Sequence, residues 1–276
     1  MDVILESEHT VFVKTSNLYY KKWSVSEAKN TIILLHDSLG CTVLWREWGE
    51  ELAKALNLNV ISYDRRGYGK SDNYTVPRPI DYLEQEAEIL DELILHWQIE
   101  KPVLFGFSDG ASVATIYAGM FPEKIKALII EGVHVLIEKE TLQGVRDAQT
   151  TLETTKIAEV LKKYHGDKVF DLYYAWTKTW LSEQHQSWNI EHFIPKIQIP
   201  ILIIQGELDK FGTMKQVEAF DKAMAKVEKL IVPKAGHTAH KDAKPLVLDT
   251  IVRFVNTLKC TDFTSFKSEV ISKKNI

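Results

Sequence analysis

The stretch "PVLFGFSDGASVATIYAG", Pro102 to Gly119, decides how the rest of the chain is read. It opens as a short apolar run and passes through Gly106-Phe107-Ser108-Asp109-Gly110. It then continues in small and apolar residues at helical spacing. A short apolar run bounded by glycine reads as a buried strand, and the periodicity after it as a helix. A serine held between two glycines where strand becomes helix is the pattern of a nucleophile elbow. The glycines leave room for a sharp turn, and the hydroxyl stands above a helix N-terminus whose dipole favours developing negative charge. The plainer alternative is a serine that only caps the helix. The strand before and the helix after favour the nucleophile.

Outward from this point the rhythm repeats. "TVFVKTSNLYYKKWSV" (Thr10 to Val25) alternates around Thr15-Ser16-Asn17 and predicts a hairpin. "TIILL" (Thr31 to Leu35) is an apolar strand running into His36-Asp37-Ser38-Leu39-Gly40, and Val43 to Leu56 has the spacing of one helix. "NVISYD", "PVLFGF", "IKALIIEG", "IPILIIQGELD" and "VEKLIVP" read as further strands. Helices are predicted over Pro79 to Trp97, after Ser108, over Thr213 to Lys226 and over Pro245 to Leu258. Strands that are continuous apolar runs, alternating with helices, imply an α/β fold: a mostly parallel sheet with helices on both faces. From His134 to Ile194 the rhythm stops, and only helices and scattered tryptophans are seen. The expected organisation is a sheet core over residues 1–133 and 195–276, with a helical insertion over 134–194.

Open α/β sheets place their sites just past the carboxyl ends of strands. Three polar residues fall there in the order Ser108, Asp209, His237. A serine hydroxyl becomes a nucleophile only when a base removes its proton. Of nine histidines, His237 is best placed, in the loop before the last helix, with His240 as its rival. The base needs a carboxylate to fix its tautomer and stabilise its charged form. Asp209 fills that role best, and Glu207 and Glu131 are alternatives. Two backbone N–H groups must meet the developing oxyanion: those of Asp109, after the nucleophile, and of Ser38, in the loop after "TIILL".

Composition sets the class. At 276 residues and 45% hydrophobic the chain can bury a large core, and its net charge of -4 argues against a nucleic-acid partner. Two distant cysteines make neither a disulfide framework nor a zinc site. The start, "MDVILESEHT", lacks the features of a signal peptide, and no apolar run approaches the ~18 residues of a membrane span. These readings predict a cytoplasmic protein, monomeric or homodimeric, with no membrane partner and reduced thiols. The Lys-rich tail "SFKSEVISKKNI" reads as a solvated end. "DRRGYGKSD" carries neither phosphate-loop pattern and reads as a structural loop, with Arg65 and Arg66 solvated or salt-bridged.

Taken together, "LLHDSLG", "DRRGYGKSD", "GFSDGA", "QGELD" and "AGHTAH" give the sequence a resemblance to the α/β-hydrolase superfamily over nearly its whole length. With "SDG" at the elbow it looks most like the biphenyl-hydrolase-like group, some of whose members hydrolyse α-amino-acid esters. The resemblance implies an eight-stranded sheet, a helical cap between strands six and seven, a Ser108-Asp209-His237 triad and no cofactor. It departs from the usual pattern at Asp37, where the family has glycine in His-Gly-x-x-Gly, and at Ala111, where a second glycine is common. Aspartate tolerates unusual backbone angles better than most residues.

The expected activity is that of a serine hydrolase, an esterase acting on a small-molecule acyl substrate through an acyl-enzyme. Carbon–carbon bond hydrolases and lyases share the architecture and are the alternative. A ring-shaped carboxylate substrate would then want Arg146 or Lys178 in the cap. A ligand-binding protein on the same scaffold is the third reading. Asp37 and Asp109 near the reacting carbonyl would attract a substrate ammonium. Trp176 and Trp180, one helical turn apart, are candidate pocket residues, although aromatics so spaced, like Tyr173, Tyr174 and Trp188 nearby, more often belong to a helix core.

Overall fold

The computed structural model describes residues 4–74 and 77–261. The Lys-rich tail lies outside them. Eight strands form one sheet: β1 (Ile4–Val13), β2 (Ser16–Val25), β3 (Thr31–Leu35), β4 (Asn59–Tyr63), β5 (Val103–Phe107), β6 (Ala127–Glu131), β7 (Ile201–Gly206) and β8 (Val227–Val232). Their spatial order is β1-β2-β4-β3-β5-β6-β7-β8. β1 and β2 are antiparallel neighbours, and β2 meets β4 antiparallel. All later pairs are parallel, as the apolar runs required.

The period of two along each strand sorts the core into two layers. Ile33, Leu35, Leu104, Leu128, Ile130, Ile201 and Ile203 face one side, against helices α2 (Tyr82–His96) and α3 (Asp109–Met120). Ile32, Leu34, Val103, Phe105, Ile129, Leu202 and Ile204 face the other, against α1 (Trp48–Leu56) and the last helix, which covers Lys244–Thr261. Each such apolar side chain, fully buried, contributes roughly 1.5–3 kcal/mol. The central strands β3, β5, β6 and β7 are buried at every position, so the ends of β5 and β7 are fixed platforms for the residues that follow.

Between β6 and β7 the chain runs through α4 (Lys139–Thr154), α5 (Ile157–His165) and α6 (Val169–Trp180), with 3-10 turns and one isolated bridge from Leu136 to Asn189. Trp176, Trp180 and Trp188 join the core layer on the α2 and α3 side. After β7 come α7 (Met214–Glu218), α8 (Ala239–Asp242) and, as α9, the last helix.

Two expectations need correction. The single helix over Val43 to Leu56 is split: a 3-10 turn over Thr42–Trp45, then α1. Arg46 between them has φ 49, outside the helical region. The break lets Trp45 and Trp48 pack against the same two rings, His240 and Phe105. The helix over Thr213 to Lys226 is shortened to α7 and a 3-10 turn at Ala219–Lys222. Phe220 is fully buried there, and the chain must turn at once to begin β8 at Val227.

No helix among the described residues is long and apolar enough to cross a membrane.

Candidate active site

Ser108 sits at the turn from β5 to α3 with φ 55 and ψ -121. For a residue with a Cβ this is a strained conformation. It is held by its N–H to Glu131 O (2.9 Å) and by its carbonyl, which accepts from Ala111 N (2.8 Å) and Ser112 N (3.1 Å). The two glycines are explained by close approach. A Cβ on Gly106 would lie 2.3 Å from Gly110 O, and one on Gly110 would lie 2.1 Å from Leu35 O.

His237 Nε2 lies 2.9 Å from Ser108 Oγ, and its Nδ1 lies 2.8 Å from Asp209 Oδ2. A carboxylate only accepts, so Nδ1 carries the proton and Nε2 presents a lone pair to the serine hydroxyl. Asp209 is held in turn: Gln205 Nε2 donates to Oδ2 (2.9 Å) and Phe211 N to Oδ1 (2.8 Å). Burial raises the Asp209 carboxyl, but the hydrogen bond and charge of His237 outweigh it and hold it below the ordinary carboxylate range. Burial alone would lower His237; the bond to Asp209 and its charge raise it above the usual histidine value.

The rivals are placed elsewhere. His240 Nδ1 meets Glu131 Oε1 at 2.9 Å, packed among Trp45, Trp48 and Phe107. Glu207 accepts from Lys234 N at 3.0 Å.

The Ser38 and Asp109 N–H groups have no protein acceptor among the described residues. The Asp109 N–H opens α3, where donors lack intrahelical partners. The loop at Ser38 is braced from below. His36 Nδ1–H donates to Asp37 O (2.8 Å), Arg65 Nη2–H donates to Asp37 O (2.9 Å) and His36 O (3.2 Å), and Arg65 N–H donates to His36 Nε2 (3.1 Å). Asp37 does not adopt a positive φ, so the loop needs no glycine there. Arg65 is only 1% exposed, a buried brace rather than a solvated arginine. Arg66 pairs with Glu86 at 2.9 Å.

A cavity of about 180 Å³ opens over Ser108 and His237. Its apolar wall is built from Leu39, Phe107, Val145, Ala148, Trp176, Trp180 and Phe211. Asp37, Ser38, Asp109, His134, Thr141 and Thr238 complete it. Trp176 and Trp180 are thus both core and cavity wall. Tyr174 and Lys178 line a separate cavity, and Arg146 is exposed on α4. The Asp109 carboxylate is buried: Oδ2 accepts from Tyr82 OH (3.0 Å), and Arg65 Nη2 stands 3.8 Å away. Tyr82 OH accepts from Trp180 Nε1 at 2.9 Å.

Three participants escaped the sequence reading, His134, Tyr82 and Phe211, while Arg65, read as solvated or salt-bridged, pairs with Asp109 and braces the loop at Ser38. His134 follows β6 and its ring lies 5.7 Å from that of His237. Burial lowers it to about 4. The strand-end rule that found Ser108, Asp209 and His237 would have found it too.

This order of strands, with the serine turn after β5 and a carboxylate and histidine after β7 and β8, is that of an α/β-hydrolase enzyme. The family model for the alpha/beta hydrolase fold matches residues 30–190, and the chain belongs to that family. Its relatives include the serine hydrolase BPHL of Homo sapiens, 26% identical over 83% of this chain and 80% of the relative. Another is the (R)-3-hydroxydecanoyl-ACP:CoA transacylase of Pseudomonas putida, 23% identical over 88% of each. Among solved structures, the 2-hydroxy-6-oxo-6-phenylhexa-2,4-dienoate hydrolase of Rhodococcus sp. strain RHA1 shares the fold. Its TM-score is 0.70 at 17% identity, over 90% of this chain and 99% of that one.

Proposed function

We propose that the protein is a serine hydrolase that cleaves a small carboxylic ester or related acyl compound through an acyl-enzyme. The observation that carries this is the hydrogen-bonded relay Ser108 Oγ–His237–Asp209 Oδ2, at 2.9 and 2.8 Å, opening into an apolar cavity.

In this reading His237 Nε2 takes the Ser108 proton as Oγ attacks the acyl carbon. The oxyanion is met by the N–H groups of Ser38 and Asp109. His237 gives its proton to the leaving alcohol, and the C–O bond breaks to leave the acyl-enzyme. Water then enters, loses a proton to His237 and releases the acid, and Ser108 recovers its proton. Asp209 stays ionised and stabilises the imidazolium. Residues 134–194 act as a cap on the core formed by 1–133 and 195–276. Trp176 and Trp180, on α6, exclude water and set the size of the acyl or alcohol group.

An ester fits better than a carbon–carbon substrate bearing a carboxylate, because no lysine or arginine lines this cavity among the described residues. A cytoplasmic setting belongs to the reading.

The test is fluorophosphonate labelling of wild type and Ser108→Ala, beside a panel of p-nitrophenyl esters. Labelling and turnover that vanish together in the variant are expected. A folded wild type that neither labels nor turns over would replace this reading with the ligand-binding one.

A further inference from the structure

The peptide that carries the Ser38 N–H begins with the Asp37 carbonyl, and that oxygen is fixed by His36 and Arg65 of the sheet core. The peptide on the other side of Leu39 is held from a different place. His165, the last residue of α5, is 1% exposed and reaches across to the core. Its Nδ1 lies 2.9 Å from Gly69 N and its Nε2 lies 3.0 Å from Leu39 O. A backbone N–H can only donate, so Nδ1 accepts from Gly69 and Nε2–H donates to the Leu39 carbonyl. One buried ring therefore bridges the loop after β3 and the loop after β4.

The link has local support. The Lys168 amine, three residues on, donates to the carbonyls of Tyr68 (3.3 Å) and Ser71 (2.5 Å). The ring of Tyr68 stands edge-on to His165, with centroids 6.2 Å apart. Burial lowers the His165 pKa, which keeps the ring in the neutral form that the two bonds need.

We propose that His165 is a positioning residue for the oxyanion loop. By holding the Leu39 carbonyl it fixes the segment that presents the Ser38 N–H, so the seating of α5 sets the geometry of the reacting centre. The catalytic consequence rests on the assignment of Ser38 as an oxyanion donor; the mechanical link does not. Without the ring, the Leu39 carbonyl and the Gly69 N–H would each lose a buried partner, and the loop would gain freedom where tenths of an ångström matter.

Three variants separate the two bonds. His165→Phe keeps the bulk and removes both. His165→Gln can place a donor where Nε2 stands, toward Leu39. His165→Asn can place an acceptor where Nδ1 stands, toward Gly69. Hydrogen–deuterium exchange over residues 36–44 reads the link without turnover. It is expected to quicken in His165→Phe, to return toward wild type in His165→Gln and to stay fast in His165→Asn. The kcat for p-nitrophenyl acetate is expected to fall roughly ten-fold in His165→Phe, with KM changed by less than about two-fold, and to be rescued by glutamine only.

Unchanged exchange in His165→Phe would overturn the proposal, as would equal behaviour of the glutamine and asparagine variants. Failure of Ser108 to label in the wild type would instead remove the proposed function and leave the exchange result standing.

Discussion

His240 and Glu131 form a second histidine–carboxylate pair, 2.9 Å apart and closed to solvent, three residues along the chain from His237. The chemistry of the two pairs is alike. What differs is the far side of each ring: His237 turns Nε2 to Ser108, whereas the ring of His240 is enclosed by Trp45, Trp48 and Phe107. His237→Ala leaves Asp209 a donor on each oxygen, Gln205 and Phe211 N–H, and is therefore expected to lower kcat by roughly 10⁴-fold with only a small change in Tm. His240→Ala takes the ring donor from the buried Glu131 carboxylate, leaving it the backbone N–H of residue 240 (3.0 Å), and is expected to cost about 1–3 kcal/mol of stability. Ester turnover and thermal melts on both variants check this, and the opposite pattern would exchange their roles.

In the proposed mechanism, activation of Ser108 needs neutral His237. Burial lowers its pKa, but the Asp209 bond and charge bring it above the usual 6.5. Activity should then be lost as pH falls, along an acid limb whose apparent pKa lies above 6.5, the ordinary value. A kcat/KM profile measures it directly, and a limb at or below that value would contradict the geometry.

Acid should also unfold the protein from the segment between β6 and β7 that holds His134 and His185. Burial lowers His134 and His185 each to about 4. The unfolded chain binds a proton at each near pH 6.5, and the folded chain only near 4. Stability is thus full above about pH 6.5 and is lost as pH falls toward 4, on the order of 3 kcal/mol for each site. Among the described residues neither ring nitrogen of His185 has a hydrogen-bond partner, so His185→Phe should remove about half of this dependence, leaving the His134 part, without loss of Tm at pH 7. Urea melts between pH 4 and 8 provide the comparison.

The centre of the sheet could be read because β3, β5, β6 and β7 are buried at every position and show as largely apolar runs. Ser108 and Asp209 could be read because each follows such a run, and His237 because it lies in the loop after the last strand. Other features depend on partners distant in sequence. His165 meets Leu39 across 126 positions and Tyr82 meets Asp109 across 27, and no local pattern marks either contact. The break at Arg46 was hidden for a related reason. Trp45 and Trp48 look like one helical face, but both are drawn to His240 and Phe105 by a packing requirement that periodicity does not encode.

Trp176 is both core and cavity wall. Trp176→Ala is expected to enlarge the cavity over Ser108, moving the optimum of an acyl-length series of p-nitrophenyl esters toward longer chains. Stability should fall by about 3–5 kcal/mol, as for other large aromatic truncations. An unchanged optimum in the folded variant would mean that the acyl group lies elsewhere in the cavity.

The two carboxylates at the reacting centre are not equivalent. Asp109 is 1% exposed, and its Oδ2 is engaged by Tyr82 and stands 3.8 Å from the Arg65 guanidinium, a cation already beside it. Asp37 is half-buried in the cavity wall, and no cation pairs with its side chain among the described residues. An ammonium entering with the substrate would therefore be attracted by Asp37 rather than Asp109. An α-amino ester should show a higher kcat/KM than its N-acetylated form. Asp37→Asn should erase that preference while leaving the acetylated ester little affected, since that substrate carries no charge. Equal kcat/KM for the two esters in the wild type would show that the site does not read the amine, and would leave Asp37 as a loop residue only.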